Sequence, residues 1–148
     1  MKNKILIICT GNSCRSQMAE GYLRSLDHEL EIYSAGTKPE IKINPNAVEV
    51  MKEIGIDINN QYPKNVNDFV LMNFDYVITV CDSAKETCPY FAGNVKHRVH
   101  LGFEDPADAE GSKEEVLSVY RKVRDQIREE FKKFYESIPD NINKEERM

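Results

Sequence analysis

Apolar and polar positions alternate between two periods along the chain, and the switches mark its elements. Ile5, Leu6, Ile7 and Ile8 form a continuous apolar run ending on Cys9, which predicts a buried strand over residues 4–9. From Arg15 to Leu26 the apolar residues Met18, Ala19, Tyr22, Leu23 and Leu26 recur at helical spacing. Glu31 to Ala35 reads as a second strand closed by Gly36. Asn44 then caps a helix with Pro45 at its first position, Ala47, Val48, Met51 and Ile54 on its apolar side, and Gly55 as its stop. Val66 to Met72 reads as a short helix with Asn65 as cap. Tyr76 to Val80 is the most continuous β-branched run and ends on Cys81, as a central parallel strand buried on both faces would. In Val95 to Leu101, Lys96, Arg98 and His100 alternate with apolar neighbours, the pattern of an edge strand. A long helix from Ser112 to about Ser137 opens on a Ser112/Glu115 capping box, with Val116, Val119, Tyr120, Val123, Ile127, Phe131 and Phe134 on one core-facing side.

Strands alternating with helices imply βαβ crossovers, hence an α/β fold: a four-stranded parallel sheet with helices on both faces. The 148 residues suit one catalytic domain over 1–138, followed by a polar tail, 139–148, expected to fray. The net charge of −5 and the absence of a Lys/Arg stripe on any predicted helix argue against nucleic acid and acidic membranes as partners. No apolar stretch approaches membrane-spanning length, and the start feeds a strand rather than a signal-peptide core, so a cytoplasmic protein is expected. There the four cysteines, Cys9, Cys14, Cys81 and Cys88, are expected to be catalytic, redox-active or inert rather than structural bridges.

The first strand hands over to the first helix through Cys9-Thr10-Gly11-Asn12-Ser13-Cys14-Arg15-Ser16. Small residues let such a loop curl so that backbone N–H groups point inward. The helix beginning near Arg15 adds the positive end of its dipole, and the guanidinium offers a bidentate fork, together a cup for a tetrahedral oxyanion. The same donors should ease ionisation of the thiol at its base, since such surroundings lower a cysteine pKa from about 8.5 to about 3.5–7.5. Cys9 thus reads as a nucleophile toward a phosphate-shaped substrate. A buried inert cysteine in an ordinary βα turn is the competing reading, disfavoured by the strand, glycine, serine and helix around it.

Cys81, at the end of its own predicted strand, should reach the same rim as Cys9, because ligands of open α/β sheets bind beyond the carboxyl ends of the strands. Cys88 follows seven residues later. In a helix their Cα atoms would stand about 10 Å apart, beyond the roughly 7 Å limit of a disulfide, so bridging them requires the segment to unwind. Two unrelated cysteines, one buried and one exposed, fit the spacing equally well. A closed zinc site is disfavoured by the lack of a close Cys-x-x-Cys pair and by only three histidines, His28, His97 and His100. Asp105-Pro106 after the fourth strand holds a carboxylate over the rim, where it can protonate a leaving oxygen; Glu104 and Asp108 are nearby rivals.

The motifs Cys9–Glu20, Tyr33–Gly36, Asn44–Ala47, Val80-Cys81 with Cys88-Pro89, Gly102–Pro106 and Arg124-Asp125 resemble, in order and over almost the whole chain, the low-molecular-weight protein tyrosine phosphatases and, within that superfamily, the thioredoxin-coupled arsenate reductases. The resemblance implies that Cys9 attacks arsenic while Arg15 and the loop amides hold the oxyanion and Asp105 assists departure of water. It further implies that Cys81 takes over from Cys9 in a disulfide, that Cys88 resolves it, and that thioredoxin reduces the resulting Cys81–Cys88 bond. Cys14 matches a loop cysteine without a step in that relay. Ala107-Asp108-Ala109 stand where the phosphatases usually place aromatics that grip a phosphotyrosine ring.

Some reductases of the family hold a monovalent cation on residues corresponding to Asn12, Glu20 and Ser34 plus an aspartate. Lys64 stands at the aspartate's place here, its ammonium in position to replace the ion, so no metal and no cofactor are expected. The expected function is thus thioredoxin-regenerated reduction of arsenate, with phosphate or sulfate as substrate analogues, by a monomer. The alternatives are a phosphomonoesterase using Cys9, Arg15 and Asp105, and a non-catalytic redox-sensing module that only binds an anion.

Overall fold

A computed structural model describes residues 3–82 and 89–139. Four strands, β1 (Lys4–Cys9), β2 (Glu31–Gly36), β3 (Phe74–Thr79) and β4 (Val95–His100), form one all-parallel sheet in the order β2-β1-β3-β4. The continuous apolar runs are central because burial on both faces rewards an apolar residue at every position. Ile5, Leu6, Ile7 and Ile8 of β1 are fully buried, whereas β4, with Lys96, His97 and Arg98 exposed, is an edge as its alternation predicts.

The helices are α1 (Arg15–Leu26), α2 (Pro45–Glu53) and α3 (Lys113–Glu136). Each boundary has a local cause. Asn44 Oδ1 accepts the Asn46 N–H at the start of α2, and Gly55, in the left-handed region at φ +81°, ends that turn. Ser112 and Glu115 form the reciprocal capping box of α3. Tyr120, Val123, Ile127, Phe131 and Phe134 of α3 are buried as read, with Leu117 joining them and Val119 half-buried on the flank. Phe134 meets Tyr76 edge-on, seating α3 on the sheet, and Glu53 of α2 ties Arg121 and Arg124 of α3.

Two expected elements differ. The helix read over Val66–Met72 is only a 3₁₀ turn at Val66–Asp68, capped by Asn65. Its apolar residues are buried by neighbours rather than by a helical face of their own: Phe69 packs on Tyr33 and Phe74, and Val70 C=O accepts the N–H groups of Ala92 and Gly93. Strand β3 stops at Thr79, so Cys81 stands two residues beyond its end rather than on it. The Leu101 N–H takes the Thr79 carbonyl there and the Phe103 N–H takes that of Val80, which bends the chain over the rim.

The register explains the site. Ile8 pairs with Thr79 and the Val80 N–H still donates to the Ile8 carbonyl, so Cys9 and residues 80–81 leave the sheet side by side at its carboxyl end. Among the described residues, no helix is long and apolar enough to cross a membrane.

Candidate active site

Between β1 and α1 the loop of residues 9–15 curls because its carbonyls are tied from outside. The N–H of Thr37 donates to Cys9 C=O, that of Lys38 to Thr10 C=O, that of Glu40 to Gly11 C=O and that of Asn44 to Ser13 C=O, at 2.9–3.1 Å. A trans peptide points its N–H opposite its C=O, and the described chain has no cis bond, so carbonyls held outward turn the N–H groups to the concave side. Asn12, at φ +52°, reverses the curl, and its N–H donates to Cys9 Sγ at 3.1 Å. Gly36 makes the close approach of β2 feasible: a Cβ there would lie 2.4 Å from the Thr10 carbonyl oxygen.

Cys9 sits at the base of this cup, 2 % exposed. Its sulfur lies 2.9 Å from Ser16 Oγ. Because Ser16 Oγ already accepts from Asn12 Nδ2 at 2.7 Å, its own proton is free to face the sulfur. The chain of hydrogen bonds continues from Asn12 Nδ2 to Ser34 Oγ, from Ser34 to Glu20 Oε1 at 2.6 Å, and from Arg24 Nε to Glu20 Oε2. Burial pushes the Cys9 thiol up from its ordinary value, against the ease of ionisation read from the sequence. The Ser16 hydroxyl, the Ser16 and Asn12 backbone N–H groups and the Arg15 charge all pull it back down.

Arg15 opens α1, whose N-cap, Cys14, supplies no side-chain bond and whose first turn holds no acidic residue. The first-turn N–H groups and the dipole therefore face the cup uncompensated. The guanidinium is buried, donates to the Phe103 carbonyl at 3.0 Å and pairs with Asp105 at 3.4 Å. Asp105 is the partly exposed member, its other oxygen accepting the Ala107 N–H. Of the three acids considered, it is Asp105, not Glu104 or Asp108, that meets Arg15; Glu104 pairs with Lys122.

Cys81 Sγ lies 3.4 Å from Thr10 Oγ1, beside the cup and on the same rim as Cys9. Cys88 lies outside the described residues. Cys14 is buried against Tyr120 OH and Ser13 Oγ at 3.7 Å each, and burial pushes its thiol up to about 11. Cys9 and Cys14 are free thiols.

Asn12, Glu20 and Ser34 converge as the resemblance implies. Lys64 joins them through its backbone N–H, which donates to Asn12 Oδ1 at 2.9 Å, while its ammonium donates to the Tyr62 carbonyl at 2.7 Å. Burial lowers the Lys64 pKa, and the Glu20 carboxylate works against that. Among the described residues, no group of three or more His, Cys, Asp or Glu is arranged to hold a metal ion.

One polar residue of this site escaped the sequence reading. Gln17, fully buried in the first turn of α1, donates to the Asn12 carbonyl. Nothing in helical periodicity distinguishes it from a surface glutamine.

A cysteine under a ring of inward N–H groups, an arginine at the mouth and an aspartate paired to it are the parts of a phosphatase-type oxyanion cup. Residues 4–147 match the low molecular weight phosphotyrosine protein phosphatase family, and the chain belongs to that family. Within it, the chain is similar to proteins named arsenate reductase. That of Halalkalibacterium halodurans is 49% identical over 137 residues, 92% of this chain and 97% of its own. A solved arsenate reductase in its phosphate-binding state superposes with a TM-score of 0.75 at 30% identity, covering 89% of this chain and 95% of that one. The thioredoxin-dependent arsenate reductase of Corynebacterium glutamicum superposes with a TM-score of 0.60 at 28% identity, over 92% of this chain and 63% of that one.

Proposed function

We propose that this protein reduces arsenate to arsenite through a relay of Cys9, Cys81 and Cys88, regenerated in the cytoplasm by thioredoxin. The observation that carries the reading is the second thiol: Cys81 Sγ stands 3.4 Å from Thr10 Oγ1, at the lip of the cup whose base is Cys9. Hydrolysis of a phosphate ester needs one cysteine. Reduction by two electrons needs a second, to close a disulfide, and a third to carry that disulfide to a partner. The names of the relatives support the same assignment.

The chemistry balances as follows. Arsenate arriving as a dianion accepts the proton that burial keeps on Cys9, and the thiolate attacks arsenic while Arg15 and the loop N–H groups hold the oxygens. An oxygen leaves as water, formed from arsenate's own hydroxyl and the proton taken from Cys9, which the Asp105 carboxylate relays. Cys81 then attacks the Cys9 sulfur, its proton passing to an oxygen of the departing arsenite. The S–As bonding pair passes to arsenic, which leaves as arsenite, and a Cys9–Cys81 disulfide remains. Attack by Cys88 on the Cys81 sulfur frees Cys9 and leaves Cys81–Cys88, which a dithiol protein reduces by two electrons. A catalytic-site pairing of Arg15 with Asp105 keeps the acid beside the anion it serves.

The test is arsenite production with thioredoxin, its reductase and NADPH. Wild type should turn over repeatedly, while Cys81→Ser and Cys88→Ser should stop at one equivalent or fewer, and mass mapping after one turnover should find Cys81 joined to Cys88. A phosphatase would hydrolyse para-nitrophenyl phosphate undiminished in both variants and produce no arsenite. A binding module would show neither activity.

A further inference from the structure

We propose that Gln17 is a positioning residue, whose buried carboxamide holds the Asn12–Ser13 peptide so that its N–H faces the oxyanion. This rests on the reading of Cys9 as nucleophile in an oxyanion cup. The loop carbonyls of Cys9, Thr10, Gly11 and Ser13 are held outward by backbone N–H groups of residues 37–44, and that of Cys14 by the Met18 N–H. The carbonyl of Asn12 is held by a side chain instead: Gln17 Nε2, at 3.0 Å. It is therefore a tether of the cup that a single side-chain substitution removes.

Its position in the curl makes it consequential. Among the described residues, Asn12 is the non-glycine residue in the left-handed region, where the chain reverses, and backbone there reverts easily unless its surroundings hold it. The Asn12 side chain is clamped by Lys64 N–H, Ser16 and Ser34, but these bonds fix the side chain, not the peptide that follows. Rotation of that peptide would turn the Ser13 N–H away from the anion and loosen the Asn12 N–H on Cys9.

Gln17 is built for a single orientation. Its Nε2 also donates to the Tyr62 carbonyl at 3.0 Å, and its Oε1 accepts from Gln61 Nε2 at 2.8 Å. Both donor protons meet carbonyls and the acceptor meets a donor, so the amide cannot flip without opposing like dipoles. Gln61 Nε2 bonds the Gln17 backbone carbonyl as well, a brace from the neighbouring loop.

The experiment compares wild type, Gln17→Met and Gln61→Met. Inorganic phosphate binding is read from protection of Cys9 against iodoacetamide, alongside the pH midpoint of that alkylation and kcat/KM for arsenate. Removing an oriented oxyanion donor outright costs about 100-fold or more in enzymes; misorienting one should weaken phosphate binding about tenfold in Gln17→Met. The alkylation midpoint should move up and kcat/KM should fall in step. Gln61→Met should move the same readouts in the same direction by about threefold, because Gln17 keeps its donors and loses only its brace. Phosphate binding and midpoint both at wild-type values in folded Gln17→Met overturn the proposal, whatever happens to its melting temperature. Should Gln17→Met fail to fold, Gln61→Met decides alone, and an unchanged phosphate affinity there overturns it. A wild type that neither binds phosphate nor reduces arsenate would instead overturn the function proposed above.

Discussion

Ser16→Ala isolates the influence that, after burial, weighs most on the nucleophile. The Ser16 hydroxyl sits 2.9 Å from Cys9 Sγ, and neither residue has water to replace the lost bond, Ser16 being fully buried and Cys9 2 % exposed. A hydrogen bond to a charged group contributes about 1.5–3 kcal/mol, and one pKa unit corresponds to about 1.4 kcal/mol, so the Cys9 pKa should rise by about one to two units. The sign follows from which form is bonded. Only the thiolate gains from a donated proton, so losing the donor raises the pKa and lowers the thiolate fraction at every pH below the midpoint. Alkylation by iodoacetamide, followed by mass spectrometry of the Cys9 peptide from pH 5 to 11, should show the midpoint displaced upward by that amount and a rate at neutral pH about 10- to 100-fold lower. The substitution should not unfold the protein, since Asn12 Nδ2 keeps Ser34 Oγ as a partner at 3.0 Å. A midpoint within about 0.3 unit of wild type, in a protein with an unchanged near-ultraviolet spectrum, would refute the reasoning and leave the Asn12 N–H, the helix end and Arg15 in control.

Three further outcomes test other parts of the site. Cys14, its thiol pushed up to about 11, stays protonated through neutral and mildly alkaline pH, so its mass-mapped labelling by iodoacetamide should stay low at pH 8 and climb only toward pH 11; full labelling at pH 8 would show the burial to be wrong. Gly36→Ala drives a Cβ to 2.4 Å from the Thr10 carbonyl oxygen, which cannot yield without moving the cup. Overpacking of this kind costs about 1–3 kcal/mol, so urea unfolding should shift by that much and phosphate should bind more weakly; wild-type stability and affinity together would contradict it. The Lys64 ammonium, held on the Tyr62 carbonyl, lies in the field of the Glu20 carboxylate, so turnover should be the same in potassium chloride and choline chloride, whereas Lys64→Asp should make it rise with potassium. A potassium-activated wild type would sink that assignment.

Features decided by neighbours in sequence were legible before any coordinates, and those decided by neighbours in space were not. The Asn44-Pro45 opening of α2 and the Ser112/Glu115 box of α3 are local, because a cap is a bond between residues two or three apart. The cup's composition was equally plain, since a cysteine, small residues and an arginine between strand and helix define its donors. What forces those donors inward was hidden: the N–H groups of Thr37, Lys38, Glu40 and Asn44 reach the loop only once β2 lies beside β1. Gln17 was invisible for the same reason, as its partners, the carbonyls of Asn12 and Tyr62, are backbone atoms with no side-chain signature. The ionisation of Cys9 shows how this misleads. Counting donors along the chain predicts an eager thiolate, yet burial, which a list of neighbours in sequence does not contain, outweighs them. A nucleophile held as a thiol until a dianion brings its own base reacts more slowly with electrophiles that bring none. The cost is that every donor around the sulfur must stay oriented for the moment the proton leaves, and this is why a buried glutamine with no contact to sulfur or substrate governs the reactivity of Cys9.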